Sequence, residues 1–299
     1  MMEEPFIFNS YGRNLMAIVH RPAASCSSFK KQAVLVVVGG PQTRVGSHRQ
    51  FVQLSRSLAL QGYTVMRFDS RGMGDSDGEG ASFIDSVDDI RNAVEVLLQK
   101  SPECNSVTIW GLCDAASAMM MYANNAHKAV NQMILLNPWV QNEAGQLQAK
   151  LKHYYLKRLT SKDLWKKIFS LGFDYKSLLK DFVTLLKSSI THKVKPSNNT
   201  DIPKVAESLA QNSYPGADGK YIDEMLSGLK TFTGQCHFIL SGNDITADGF
   251  KDLTGGEKQW KAAIKNPKNS IQSIDDADHT FSSKVWKSEV EKLTLDRLA

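Results

Sequence analysis

The 299-residue chain is short of several things, and each shortage excludes something. It has only four cysteines, Cys26, Cys104, Cys113 and Cys236, far apart and without CxxC or Cys/His ligand spacing. That pattern excludes a disulfide scaffold and a zinc ribbon, and no metal is expected. No apolar run approaches the ~20 residues of a membrane span. The opening stretch "MMEEPFIFNSYGRN" carries acidic residues where a secretory leader needs basic ones. The expectation is a cytoplasmic, reducing setting with free thiols. No GxxxxGK[ST] phosphate loop occurs, and no nucleic-acid module. No cofactor is expected, nor are internal repeats or low-complexity tracts.

Net charge is also low, at +5, but it is uneven. Residues 141 to 199 carry twelve Lys and Arg against four acidic residues, a surplus of eight. Such a stretch reads either as solvated helical faces or as a surface for an acidic partner or anionic substrate handle.

What is present is strand–helix alternation. "NLMAIVHRP" (14–22) and "AVLVVVGGP" (33–41) read as strands, the second continuously apolar as in a strand buried on both faces. Residues 47–62 read as a helix with Ser47 as N-cap, Phe51, Leu54 and Leu58 on one face, and Gly62 closing it. A strand (63–69), a glycine-rich loop (70–80), a helix (82–100), a strand (106–111), a helix (114–125) and a strand (132–139) follow. Alternation of this kind predicts a mostly parallel twisted sheet flanked by crossover helices. The pattern breaks at 140–215, which is basic and aromatic and reads as a helical cap inserted into a core of 1–139 and 216–299. Beyond it, helices at 221–232, 257–265 and 282–299 alternate with strands at 235–242 and 269–274.

Four mostly apolar residues open "TIWGLCDAAS" and end in Gly111, and Cys113 follows directly before a helix. Taken alone, Cys113 is either a packed core thiol or a nucleophile at a tight strand-to-helix turn. Such a turn needs small residues two before and two after the nucleophile, here Gly111 and Ala115. Its place at a parallel sheet's carboxyl edge, where catalysis gathers, favours the nucleophile. A nucleophile needs a base, and the base an orienting acid. Among seven histidines, His279 in "DDADHTFSS" lies in the loop between the last strand and the last helix and returns to the same crevice. His48 is the second choice; His237 falls inside a strand pattern and His127 at the far end. The acid is Asp244, just past a strand, with Asp248 as fallback and a plain turn residue as the structural alternative. Asn137, one strand earlier, cannot serve as an acid.

An oxyanion would be held by the backbone N–H of Asp114 and by one from the loop after the first central strand. Pro41 has no N–H, so Gln42 is the expected donor. Gly40, Arg44, His48 and Arg49 of that loop are candidate substrate-binding residues. The stretch "RFDSRGMGDSDG" reads as structural, with Asp69 and Arg71 tying down a glycine-rich loop.

"VVVGGPQ", "FDSRGMGDSDG", "WGLCDAA", "SGND" and "DADHTF", in this order, make the chain resemble an α/β-hydrolase over nearly its whole length. More narrowly, "GGPQTRVGSHRQFVQLSRSLALQGY", the cysteine-bearing elbow and "LKHYYLKRLTSKDLWKKI" resemble the exosortase A system-associated hydrolase 1 group. The resemblance implies an α/β-hydrolase fold and lends Cys113, Asp244 and His279 the triad roles. Cys replaces the usual Ser, and Ala the usual second Gly. The expected chemistry is cleavage of an acyl thioester or ester through a covalent acyl-enzyme on Cys113. An acyltransferase or cyclising enzyme would share that step, and a ligand-binding protein on the same scaffold would not. A coenzyme A thioester or an acyl carrier protein would suit the basic cap.

Overall fold

The computed structural model describes residues 1–23, 29–80, 82–140 and 219–299. The chain divides into two units, and these residues all fall in the first, Met1–Glu143 with Pro215–Ala299. The expected cap lies outside the described residues except for Val140.

Eight strands form one sheet: β1 (Met2–Ser10), β2 (Arg13–Arg21), β3 (Gln32–Val37), β4 (Thr64–Phe68), β5 (Ser106–Leu112), β6 (Val130–Leu136), β7 (Gln235–Ser241) and β8 (Asn269–Ile274). Their spatial order is β1-β2-β4-β3-β5-β6-β7-β8. β2 runs antiparallel to both neighbours, and every other pairing is parallel. This is the mostly parallel, helix-flanked sheet that the alternation predicts and the α/β-hydrolase architecture that the resemblance implies.

Side chains of the central strands alternate between two apolar layers. β3 sends Ala33, Leu35 and Val37 to one and Val34 and Val36 to the other. The second layer is closed by α1 (Gln50–Leu60) through Phe51, Leu54 and Leu58, and by α7 (Lys284–Leu298) through Val290, Leu293 and Leu298. The first is closed by α2 (Ser86–Lys100), α3 (Asp114–Tyr122), α4 (Lys220–Thr231), α5 (Ile245–Gly256) and α6 (Lys258–Ile264). Helices on both faces are what a sheet of continuous apolar strands requires.

Three features depart from expectation. Met2–Ser10 is a strand, an edge partner of β2 that buries Phe8 and leaves Ile7 exposed. Ile245–Gly256 is a helix where the periodicity suggests none. Ser47 does not cap α1: it starts a short 3-10 turn, and the residue before α1 is Arg49 in the left-handed region, with no side-chain cap. No helix of the described residues is long and apolar enough to cross a membrane, and no group of His, Cys, Asp and Glu among them could hold a metal.

Candidate active site

Register brings five chain segments to one sheet edge. Val37 pairs with Gly111, Leu112 with Leu136, Leu136 with Ile239, and Ser241 with Ile274. The residues that follow these strand ends are Gly39–Gly40, Cys113, Asn137, Asp244 and the loop to His279. Each is therefore a near neighbour across the sheet's carboxyl edge, where ligands of open α/β sheets bind.

Cys113 sits between β5 and α3 with φ 64° and ψ −127°. That conformation is strained for any residue with a Cβ, and the packing below it enforces the turn. A Cβ on Gly111 would come within 2.5 Å of Met119 Sδ and 3.2 Å of Ala115 Cβ. Ala115 is tolerated in place of glycine because Gly111 leaves that space. Cys113 N–H donates to Leu136 O at 2.8 Å, and Ser117 Oγ donates to Trp139 O at 2.7 Å, which ties the elbow to the end of β6.

The expected acid and the expected base meet. His279 Nδ1 and Asp244 Oδ2 are 2.8 Å apart. Asp244 is also the N-cap of α5, accepting from Thr246 N at 3.2 Å and Ala247 N at 3.1 Å. One carboxylate thus satisfies a helix terminus and orients an imidazole, and the cap by itself contributes about 1 kcal/mol. Asp248 is turned to Lys251 at 3.3 Å and is exposed, so it takes no part in this pair.

The His279 loop is held from below by a residue whose type alone suggested no role. Asn137 is fully buried with φ 43°. Its Nδ2 donates to Ser241 Oγ at 2.8 Å and to His279 O at 3.0 Å, and its Oδ1 accepts from Ser241 N. Ser241 Oγ in turn donates to Asp278 O at 2.8 Å. Asp278 closes the loop by accepting from Thr280 N and Ser282 N. The signal for Asn137 was its place at a strand end before Pro138, since Asn tolerates positive φ better than most residues.

The loop after β3 holds its candidates differently. Gly40 N–H donates to Asp114 Oδ2 at 2.8 Å. Gln42 uses its Oε1 within the loop, accepting from Ser47 N at 3.2 Å. Arg44 is not a free cation: its guanidinium is paired with buried Asp69 and, at 2.6 Å, with Asp75. Its carbonyl accepts from Arg67 at 2.9 Å, so Arg44 ties the loop to the glycine-rich stretch 70–80. His48 and Arg49 are exposed and both have positive φ. Asp69 and Arg71 act as the sequence suggests, Arg71 through a two-pronged bond to buried Asp89.

Of the other histidines, His237 is buried between Gln132 and Ser270, and His127 lies in the turn beyond α3. Cys104 and Cys236 are buried, whereas Cys113 is only partly so. Cys26 lies outside the described residues.

Electrostatics at Cys113 are unfavourable to the thiolate. Burial pushes its pKa up to about 12, the Asp114 and Asp244 charges add to this, and the Asp114 backbone N–H opposes it. Burial also raises the Asp114 carboxyl, against the Gly40 hydrogen bond, the nearby backbone amides of Ala115 and Asp114, and the charge of His279. Tyr221 of α4 has its hydroxyl raised by burial and by Cys113, so this phenol stands near the thiol. Among the described residues no hydrogen bond joins Cys113 Sγ to His279, an arrangement common in ligand-free sites.

Solved structures share the fold. The esterase Pf2001 from Pyrococcus furiosus is 14% identical with a TM-score of 0.60, over 99% of this chain and 91% of that one. The ferulic-acid complex of Est1E from Butyrivibrio proteoclasticus is 14% identical with a TM-score of 0.58, over 98% and 99%. An alpha-beta serine hydrolase homologue from Coxiella burnetii is 14% identical with a TM-score of 0.55, over 100% and 99%. No curated protein matches the chain. The family model described as "Serine aminopeptidase, S33" matches residues 30–216, more than half of the chain, and the protein accordingly belongs to that family of α/β-hydrolases.

Proposed function

We propose that the protein is a Cys–His–Asp hydrolase that cleaves an acyl ester or thioester through an acyl-enzyme on Cys113. The observation that carries this reading is the left-handed conformation of Cys113 at the strand-to-helix elbow, beside a formed Asp244–His279 pair. The esterases of the same fold agree with it at the level of reaction class, as does the resemblance to the exosortase A system-associated hydrolase 1 group.

The raised pKa of Cys113 shapes the mechanism. The resting side chain is a thiol, so His279 Nε2 takes its proton as Sγ bonds to the acyl carbon. Asp244 steadies the imidazolium that results. The carbonyl electrons move onto oxygen, where the backbone N–H of Asp114 and an N–H of the 40–42 loop stabilise them. Collapse expels the alkoxide or thiolate, which receives the proton from His279. Water then attacks the thioester, with His279 as base, and releases the acid and the thiol.

A thioester intermediate also reacts readily with amines, thiols and alcohols. The substitution of Cys for the usual Ser therefore supports a second reading, transfer of the acyl group to an acceptor other than water. We place the deciding element in the 140–215 stretch. As a cap it would exclude water, and its basic surplus suits a coenzyme A phosphate or an acidic carrier protein.

Incubation with p-nitrophenyl acetate and intact-mass analysis tests the reading. An acetyl adduct is expected on the wild type and absent from Cys113→Ala. A wild type that turns over the ester without an adduct, or a Cys113→Ala variant that keeps its activity, overturns it.

A further inference from the structure

Asp114 follows the nucleophile and opens α3, yet its side chain does not face solvent. Oδ2 accepts the Gly40 N–H at 2.8 Å. Oδ1 is buried with no hydrogen-bond partner. It is wedged so tightly that a Cβ on Gly39 would lie 2.0 Å from it, with Ala115 N at 2.5 Å. A buried carboxylate oxygen without a donor is costly. The arrangement is thus a poor resting place for a charge, and it occupies the Gly40 N–H, which we take, in place of that of Gln42, as the loop's donor to the acyl oxygen.

We propose that the Asp114 carboxylate is a resident competitor for the oxyanion site, holding the Gly40 N–H until the acyl oxygen of a bound substrate displaces it. The inference rests on the acyl-enzyme reading above. Its consequence is selectivity. A small ester with little binding energy displaces Asp114 poorly, while a substrate anchored elsewhere does so readily, since remote binding can drive a local rearrangement. Asp114 is a positioning residue here: it acts through Gly40 and through its charge on Cys113. The groups around this pair are His279 and Asp244 from the neighbouring loops and Tyr221 from α4. Of these, Asp114 and Asp244 are the anions that oppose a thiolate.

Two substitutions separate charge from occupancy. Asp114→Asn removes the charge but keeps an acceptor for Gly40 N–H. Asp114→Ala removes both and leaves the residue 114 backbone N–H in place. Iodoacetamide alkylation of Cys113 at fixed pH reads the thiolate: a fall of one pKa unit raises its fraction about tenfold, partly offset by the lower nucleophilicity of the more acidic thiol. Both variants are expected to alkylate about fivefold faster than wild type. With p-nitrophenyl acetate, D114A is expected to acylate Cys113 several-fold faster than D114N. Alkylation within about twofold of wild type in the folded variants overturns the proposal, as does equal acylation of D114A and D114N. Should D114A fail to fold, D114N decides alone: its neutral amide accepts more weakly from Gly40 N–H than the carboxylate does, so acylation by p-nitrophenyl acetate that rises no more than alkylation does overturns the proposal. An adduct absent from wild type and both variants, with alkylation still accelerated, overturns the acyl-enzyme reading and the competition with it. Unchanged alkylation with an intact adduct overturns the competition only.

Discussion

The two halves of the proposed site, acid–base and nucleophile, are built in opposite ways. The acid–base half, Asp244 with His279, is over-determined: Asp244 is fixed by two amides of α5 and by the imidazole, and the His279 backbone is fixed by Asn137. The nucleophile half, Cys113 with Asp114 and Gly40, is strained and crowded with negative charge. A group that must hold one orientation through two proton transfers is worth immobilising in advance. A thiol that would react with any passing electrophile is worth keeping protonated until substrate is present.

The sharpest way to break this contrast is to remove the base. His279→Gln should reduce acylation by p-nitrophenyl acetate by about a thousandfold or more, measured by stopped mass analysis of the adduct, with no loss of stability. Asp244→Asn should lower acylation by a comparable factor while keeping the cap, because its amide oxygen still accepts from the first turn of α5. Asp244→Ala should add a stability loss of about 1 kcal/mol in urea titration. If D244N acylates at the wild-type rate, the pair does not orient the imidazole and the proposed roles fail.

Much of this frame was legible in the residues. The alternation from 33 to 139 and the chain order Cys113, Asp244, His279 depend on periodicity and on strand ends, which the order of residues reveals. The polar partners were not legible, for a physical reason. Arg44 reads as a free loop cation, and only the fold brings it to Asp69 and Asp75, 25 and 31 residues away. Asp244 reads as the acid of the site, but its cap on α5 was not legible, because that helix contains Gly249 and ends in Gly255 and Gly256. The strand β1 was missed because its apolar content is small and one-sided, as edge strands tend to be. The competition of Asp114 for Gly40 depends on loop backbone geometry, which no spacing rule reports.

A smaller effect is expected where the pre-set half is supported rather than formed. Asn137→Ala leaves the Ser241 amide unpaired in a buried site and puts a residue less suited to positive φ at 137. The expected cost is about 2–3 kcal/mol, read from the urea midpoint. Acylation should fall by about tenfold as His279 loosens, well short of the loss in His279→Gln. Equal losses in the two variants would make Asn137 part of the chemistry.

The smallest effect concerns acid. His20 is fully buried, with its Nε2 accepting from Arg67 Nε at 2.8 Å, and His237 is packed between Gln132 and Ser270. Burial, then the neighbouring charge of Arg67 or Arg297, lowers each to about 4, from an ordinary value of 6.5. Between those values the unfolded chain binds protons that the folded one refuses. Stability should therefore be complete above pH 6.5 and decline as the pH falls toward 4. His237→Gln, which keeps a polar side chain between Gln132 and Ser270, should flatten that decline without touching acylation at pH 7.5. A urea midpoint that is level across this window would show that the buried histidines do not set the acid limit, and a decline equally steep in His237→Gln would show that His237 does not. Above the window, any pH dependence of acylation then belongs to the site, and the comparison of its two halves can be read without interference from unfolding.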